Sequence, residues 1–455
     1  MKKVLLVFLF TYIHFIASAQ QDSVVQKLDD YLTAANAAYK FNGNVLVALH
    51  GEMLLQKSYG TKDFATGVLN DANTIFHIAS VTKQFTAAVV LKLQEEGKLS
   101  VHDTLSKYFP SFKYAKKITL ENLLTHSSGL YDYVADIDES DSAIVCNPIN
   151  KQRVQDIIFK HDLYFQPGTQ FRYCNSGYYL LGLIIEKVTG MSYEQNVRDI
   201  IFTPLHMDHS FFDFKHIADS NIARGYKSIT NTTHEAATAW RWDSTVTFAA
   251  GGILSTTGDL YKWTQAIASK KILSPASWNA MLTPHINNYG YGMYADSVFN
   301  KLAYMHGGGI PGFISNLCYL PADDISIILL CNQGWFGDAL NATNTDLAGI
   351  IFHKPIDPMK DIAGKQFSDT ELTKYTGKYD FDKKHHVYIT LENGQLYMEA
   401  PQGGLPKSPL FTEDASNFYL KIINARIEFI QDSSGNITSL ISHYAGKSEE
   451  CKKVK

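Results

Sequence analysis

Ser80 and Lys83 stand three residues apart in FHIASVTKQF (76–85), at the front of a segment whose spacing predicts an amphipathic helix over 81–97. Residues three apart on a helix share a face at neighbouring turns, so the amine can reach the hydroxyl. A serine hydroxyl is a weak nucleophile until a base takes its proton. Lysine can be that base when burial or neighbouring cations leave it neutral. A serine at a helix start also has its own N–H to offer an oxyanion. An N-cap serine followed by a solvated lysine is the commoner use of such a pair, and the spacing alone does not choose between the two.

Two later segments supply groups of matching chemistry. Tyr173-Cys174-Asn175 opens a predicted helix in FRYCNSGYYLLGLIIEKVTG, and His306-Gly307-Gly308 lies on a predicted strand in YMHGGGIPGF. With these segments the sequence resembles the serine β-lactamase and penicillin-binding-protein-like superfamily, in its class C β-lactamase, DD-peptidase and esterase-like branch. Tyr-x-Asn stands where other members carry Ser-Asp-Asn, and His-Gly-Gly where many carry Lys-Thr-Gly. The likeness spans roughly residues 22 to 350 and includes NLLTHSSGL, IFTPLHMDHSFF and AAGGILSTTGDLYKW in the family's order.

The resemblance implies an α+β fold, an antiparallel sheet flanked by helices with an all-helical subdomain. It implies Ser80 as acylated nucleophile, Lys83 as proton acceptor, and Tyr173 sharing the base role and protonating the leaving group. His306 would act electrostatically and by position beside Tyr173. The N–H groups of Ser80 and Gly309 would form the oxyanion hole, and Asn175, Gly307 and Gly308 would bind substrate. Such chemistry requires no metal or organic cofactor, and its partner is a small-molecule or short-peptide substrate. Gly307 replaces a hydroxyl that helps hold a substrate carboxylate in lactamases and DD-peptidases, which favours an esterase or amidase. Cys174 fills a position usually serine and is expected to point away from the pocket. A non-catalytic binding protein of this fold would be expected to lack one of Ser80, Lys83 or Tyr173, and all three are present.

Other motifs carry less. Gly307 to Gly312 satisfies G-x-G-x-x-G, but a strand follows where a dinucleotide site needs a helix. His-Gly-Gly-Gly matches a lipase oxyanion loop, but the chain has no G-x-S-x-G elbow. His385 and His386 are adjacent, so on a strand they point to opposite faces and cannot share a metal.

The elements that must position these residues can be read in order. A helix over 23–39 is followed by two β runs joined at His50-Gly51. A helix over 119–130 has Thr119 as N-cap and Asn122 three residues on, and one over 176–190 is stopped by Gly190. Strands in succession from Tyr289 to Leu330 predict an antiparallel sheet, with a last helix over 339–354. Past a boundary at 355–366, alternation around an Asn393-Gly394 turn predicts a small all-β domain over 366–455. The hydrolase domain is expected over 20–355.

The chain's 455 residues, 45% hydrophobic and 19% charged, suffice for a large core and more than one folding unit. A net charge of −4 without long runs of like charge leaves no footprint for nucleic acid. Lys2 and Lys3, an apolar run and Ala17-Ser18-Ala19 read as a signal peptide over 1–19, so the protein is expected to be exported, periplasmic or secreted, without stable membrane insertion once the signal is removed. Five scattered cysteines neither suggest a zinc site nor a disulfide framework.

Overall fold

The computed structural model describes residues 23–37, 40–137, 145–212, 220–228, 237–238, 242–334, 339–356, 367–381, 385–392, 394–400, 405–420, 425–444 and 447–454. The export pattern at 1–19, Asn393 of the expected turn and most of the expected boundary at 355–366 lie outside these residues. The chain divides into two compact units, one of residues 41–340 and one of residues 1–40 with 341–455.

The 41–340 unit is built on a six-stranded antiparallel sheet. Its strands are β1 (Gly43–Leu49), β2 (Glu52–Tyr59), β3 (Tyr294–Val298), β4 (Lys301–Ile310), β5 (Phe313–Leu320) and β6 (Ile325–Cys331), in the order β3-β4-β5-β6-β1-β2. The β1–β2 turn is made by His50 (φ 53°) and Gly51 (φ 75°), both left-handed, as a tight hairpin of this twist requires. β5 and β6 are buried at every position, which suits their largely apolar sequences and takes Ser315, Asn316 and Ser326 inside as well. β3 stops at the pair Tyr294–Met305. From His306 onward β4 therefore has no strand partner on that side among the described residues.

Helices pack around this sheet in one contiguous core: α2 (Thr82–Glu95), α3 (Leu120–Leu124), α4 (Lys151–Lys160), α5 (Asn175–Thr189), α6 (Tyr193–Val197), α7 (Ser244–Gly251) and α8 (Thr257–Ser269). The expected capping box is present: Thr119 Oγ1 accepts from the Asn122 N–H while the Asn122 side chain accepts from the Thr119 N–H. α5 begins one residue earlier than its apolar pattern suggests, at Asn175, and ends at Gly190 with φ 73°. α2 departs from expectation. It is buried on every face from Thr82 to Leu91 instead of presenting one apolar stripe, so its threonines, Gln84 and Lys83 all lie inside the protein. Gln84 Oε1 accepts from the Trp263 indole N–H at 2.8 Å, and Phe85 packs on Trp263 at 4.7 Å and Phe202 at 5.9 Å.

In the other unit, α1 (residues 23–37) is tied to α9 (Ala339–Ile351) by the Tyr31 hydroxyl donating to Asp346 at 2.6 Å. Eight strands between Gly377 and Lys453 close into an antiparallel barrel. Tyr375, Tyr379, Phe418 and Phe429 fill its interior with Leu, Ile and Met side chains, so the barrel is a packed core. His386 pairs with Asp380 across neighbouring strands at 2.7 Å. None of the five cysteines is in a disulfide.

Because Phe85 is fully buried between two aromatic rings, Phe85→Ala should destabilise the 41–340 unit by about 3–5 kcal/mol. Urea unfolding followed by tryptophan fluorescence measures this, and a loss below about 1 kcal/mol would show that the packing of Phe85 on Trp263 and Phe202 does not hold α2 in the core.

Candidate active site

Ser80 sits in a 3₁₀ turn, Ala79–Val81, that leads directly into α2. The strand Phe76–His77 pairs with Ile253–Ser255, the Ile78 N–H donates to Ile253 O at 3.0 Å, and Ala79 then takes φ 44°. A left-handed alanine is strained, and such strain persists only where the surroundings impose it. Here it turns the chain so that Ser80 is partly open while Ala79 and Val81 on either side are buried.

Lys83 is fully buried, yet its Nζ has three acceptors: Ser80 Oγ at 2.9 Å, Asn175 Oδ1 at 2.9 Å and the Ala250 carbonyl at 2.8 Å. Two of these, an amide oxygen and a main-chain carbonyl, can only accept, so a neutral amine gives them its two N–H bonds. Its lone pair then faces the Ser80 hydroxyl. Burial brings the lysine pKa down to about 7, against the charge of Asp132, which favours the ammonium. Near neutrality this amine is therefore substantially deprotonated. The Ala250 carbonyl reaches the lysine because Phe248, at φ 43° and ψ −128°, kinks α7; the same kink turns the Ala249 carbonyl to the Thr86 hydroxyl at 2.6 Å.

The Tyr173 ring lies over Lys83, with 4.8 Å from Nζ to its centroid. Its hydroxyl is buried and no hydrogen bond of full geometry reaches it among the described residues. The Ser80 side chain favours ionisation of this phenol, but burial dominates and holds its pKa well above the usual 10. Tyr173 is thus a phenol, not a phenolate, at the start of any reaction.

Two histidines stand behind it. The His126 Nδ1 accepts from the Cys174 N–H at 3.1 Å, which leaves the ring proton on Nε2, and the ring packs at a tilt against Tyr173 at 4.2 Å and Tyr289 at 4.6 Å. The His306 Nδ1 lies 2.5 Å from the Gly307 carbonyl, an obligate acceptor, so that nitrogen carries the proton and Nε2 accepts from the Tyr289 hydroxyl at 3.0 Å. Burial, and then Lys83, push both rings toward neutrality: His126 well below 6.5 and His306 to about 3.

A cavity opens over Ser80, lined also by Tyr173, Asn175, Tyr133, Trp242 and Gly309. The structure thus brings Ser80, Lys83, Tyr173 and Asn175 together and sets Gly309 beside them on the free edge of β4. The rest of the His-Gly-Gly box departs from the expected roles. His306 does stand beside Tyr173, ring centroids 6.1 Å apart, but it is buried and neutral and does not line the cavity, so it supports the aromatic shell in place of supplying charge. Gly307 and Gly308 do not line it either. A Cβ on Gly308 would come within 2.3 Å of the Ile78 carbonyl and 3.0 Å of the Ser80 nitrogen, so this glycine serves the close passage of β4 across the Ser80 turn. Asn175 lines the cavity, but its amide is spoken for: Oδ1 accepts from Lys83, and Nδ2 donates to Asp132 Oδ2 at 3.0 Å. Cys174 points away as expected, its thiol against the Leu130 carbonyl at 3.4 Å and pushed up to about 12 by burial. Sequence reasoning missed His126 and Asp132. His126 lay in a quoted segment, NLLTHSSGL, where nothing distinguished it from a core histidine.

Comparison with known proteins divides the chain between residues 349 and 364, so that α1 from residue 28 and most of α9 fall with the 41–340 unit. The Beta-lactamase family model matches residues 28–349, and a domain of unknown function, DUF3471, matches 364–453. Penicillin-binding protein 4* of Bacillus subtilis is 28% identical over 442 residues, covering 92% of this chain and 96% of its own. Teichoic acid D-alanine hydrolase of Staphylococcus aureus is 31% identical over 318 residues, 69% of this chain and 74% of its own. Among solved structures, the octameric penicillin-binding protein homologue from Pyrococcus abyssi superposes with a TM-score of 0.66 at 23% identity, over 94% of this chain and 98% of that one, a likeness of fold.

Two outcomes are expected. Acylation of Ser80 by a fluorophosphonate should rise about tenfold per pH unit below the lysine pKa of about 7 and level off above it, since only the neutral amine can take the serine proton; a flat profile would remove Lys83 from that role. Gly308→Ala should slow the same labelling by at least about tenfold by displacing the Ser80 turn, and unaltered labelling would show the close passage to be immaterial.

Proposed function

From the premise that this chain belongs to the Beta-lactamase family and is a serine hydrolase, we propose that it is exported and cleaves esters or amides bearing no free carboxylate beside the scissile bond, by a Ser80 acyl-enzyme. The observation that carries the reading is the three-way hold on the Lys83 amine, which leaves its lone pair on Ser80. As Oγ attacks the substrate carbonyl, its proton passes to Nζ. The resulting oxyanion is received by the N–H groups of Ser80 and Gly309. Tyr173, a neutral phenol, donates its proton to the leaving oxygen or nitrogen and recovers one from the Lys83 ammonium. Water then enters and the same groups run in reverse, releasing the acid and restoring Ser80.

Three features support a substrate without a carboxylate. Among the described lining residues none is lysine or arginine, His306 is neutral, and Gly307 has no hydroxyl. Tyr133, Val134, Trp242 and Ile310 offer instead an apolar wall for the acyl or leaving group. Export is supported by Lys2-Lys3, the apolar run and Ala17-Ser18-Ala19.

The test is a hydrolysis panel of p-nitrophenyl esters, D-amino-acid amides, D-alanyl esters and nitrocefin. The D-alanyl compounds enter because one relative is a teichoic acid D-alanine hydrolase. Esters or amides should be turned over well ahead of nitrocefin, and Ser80→Ala, Lys83→Ala and Tyr173→Phe should each lose about 10³-fold or more in kcat. Nitrocefin as the best substrate would overturn the substrate class, and a Ser80→Ala enzyme of near wild-type activity would overturn the mechanism.

A further inference from the structure

Asp132 is not among the residues lining the cavity, yet it binds the amide that accepts from Lys83. We propose that Asp132 is a positioning residue for acyl transfer, which fixes the orientation of the Asn175 amide and so directs the Lys83 nitrogen at Ser80. This rests on the Ser80 acyl-enzyme reading above.

The Asp132 Oδ2 accepts both the Asn175 main-chain N–H at 3.1 Å and the Asn175 side-chain Nδ2 at 3.0 Å, while its Oδ1 accepts from the Val134 N–H at 3.3 Å. A carboxylate can only accept, so it binds the NH₂ end of Asn175 and leaves the oxygen end for Lys83. Were the amide reversed, an NH₂ group would face the lysine and the amine could turn its lone pair there, away from Ser80. The segment bearing Asp132 is stitched to the start of α5 by further bonds: the Tyr133 N–H donates to Ser176 Oγ at 2.9 Å, and Ser176 Oγ donates to the Tyr131 carbonyl at 2.7 Å. The carboxylate therefore cannot drift from the amide it holds.

The placement also explains why the anion stands one residue back. A carboxylate in direct contact with Lys83 would hold it as an ammonium. With Asn175 between them, orientation is transmitted while the proton remains removable. Lys83 is faced by Ser80 from its own turn, Asn175 and Tyr178 from α5, the Ala250 carbonyl from α7, Tyr173 from the segment before α5, His126 from the turn after α3, and His306 from β4, with Tyr289 and Tyr294 behind them and the Cys174 thiol nearby but turned to the Leu130 carbonyl. Both histidines are neutral, the thiol keeps its proton, and burial raises Tyr173, Tyr178 and Tyr289. Asp132, which stands behind Asn175, is the one anion among these described groups.

The test compares wild type, Asp132→Asn and Asn175→Asp by kcat, KM, the pH profile of fluorophosphonate labelling and thermal unfolding. In Asp132→Asn, kcat should fall about ten- to hundredfold with KM within about twofold, and the acid limb should move to lower pH because the ammonium has lost its anionic support. Asn175→Asp places a carboxylate on the lysine and should move the limb to higher pH, which keeps the inference testable if Asp132→Asn does not fold. An unmoved limb in the folded variants, or an Asp132→Asn enzyme of wild-type kcat, overturns the inference. Loss of wild-type labelling in Ser80→Ala is the control: without it the acyl-enzyme reading itself fails, and with it an unmoved limb counts against Asp132 alone.

Discussion

The burial of one amine organises this site. A lysine nitrogen taken out of water costs several kcal/mol if charged, and the protein meets that cost by letting the proton go and giving the remaining N–H bonds two fixed acceptors. Each acceptor comes from a different part of the chain, Asn175 from the start of α5 and Ala250 from a kink in α7, so Lys83 is also the point where three helices are registered against one another. The aromatic shell of Tyr173, Tyr178, His126 and Tyr289 excludes the water that would otherwise solvate an ammonium. The same groups that make the base neutral thus make it rigid.

Backbone strain lies next to this amine on both sides. Ala79 and Phe248 both take φ near +44°, values that L-residues adopt rarely, and each sits where the chain must present a group to Lys83: the Ser80 hydroxyl in one case, the Ala249 and Ala250 carbonyls in the other. Gly182 on α5 leaves room for Phe248, since a Cβ there would lie 2.5 Å from its ring, so the kink is built into the packing of two helices. Strain held this way preorganises the acceptors before any substrate arrives.

How much of this was legible follows from which residues carry local signatures. Ser80 and Lys83 were readable because a helix fixes what three residues' spacing means, and the hairpin at His50-Gly51, the Thr119 cap and the stop at Gly190 were readable because turns and helix ends demand particular side chains. Tyr173 and Asn175 were found through resemblance, and the amide's true partners were not. Asp132 and His126 matter only because the 126–134 segment folds back beside 173–176, a long-range event with no trace in either stretch. Alanine and phenylalanine have no sequence signature for a left-handed backbone. The burial of α2 on all faces was hidden by its threonines and Gln84, polar residues that bond inside: the Thr82 hydroxyl accepts from the Ile253 N–H, the Thr86 hydroxyl donates to the Ala249 carbonyl, and Gln84 Oε1 accepts from Trp263.

The histidine of the β4 box is consistent with the rest of this electrostatic balance. A second cation beside Lys83 would repel the ammonium and draw in a counter-charge, and a substrate carboxylate is the obvious one. His306 escapes that logic. Its Nδ1–H is taken by its neighbour's carbonyl, its Nε2 by Tyr289, and burial keeps it uncharged, so it contributes shape and a hydrogen-bond acceptor without a field. With Gly307 offering no hydroxyl and Gly308 committed to the passage over Ser80, the strand keeps its place as a platform whose free edge carries Gly309, while the features that would recognise an anion are absent from its described residues. A site with one titrating amine, neutral histidines and an apolar wall is suited to an acyl group recognised by shape and by its carbonyl, and the charge that remains, on Asp132, is spent on aiming the base.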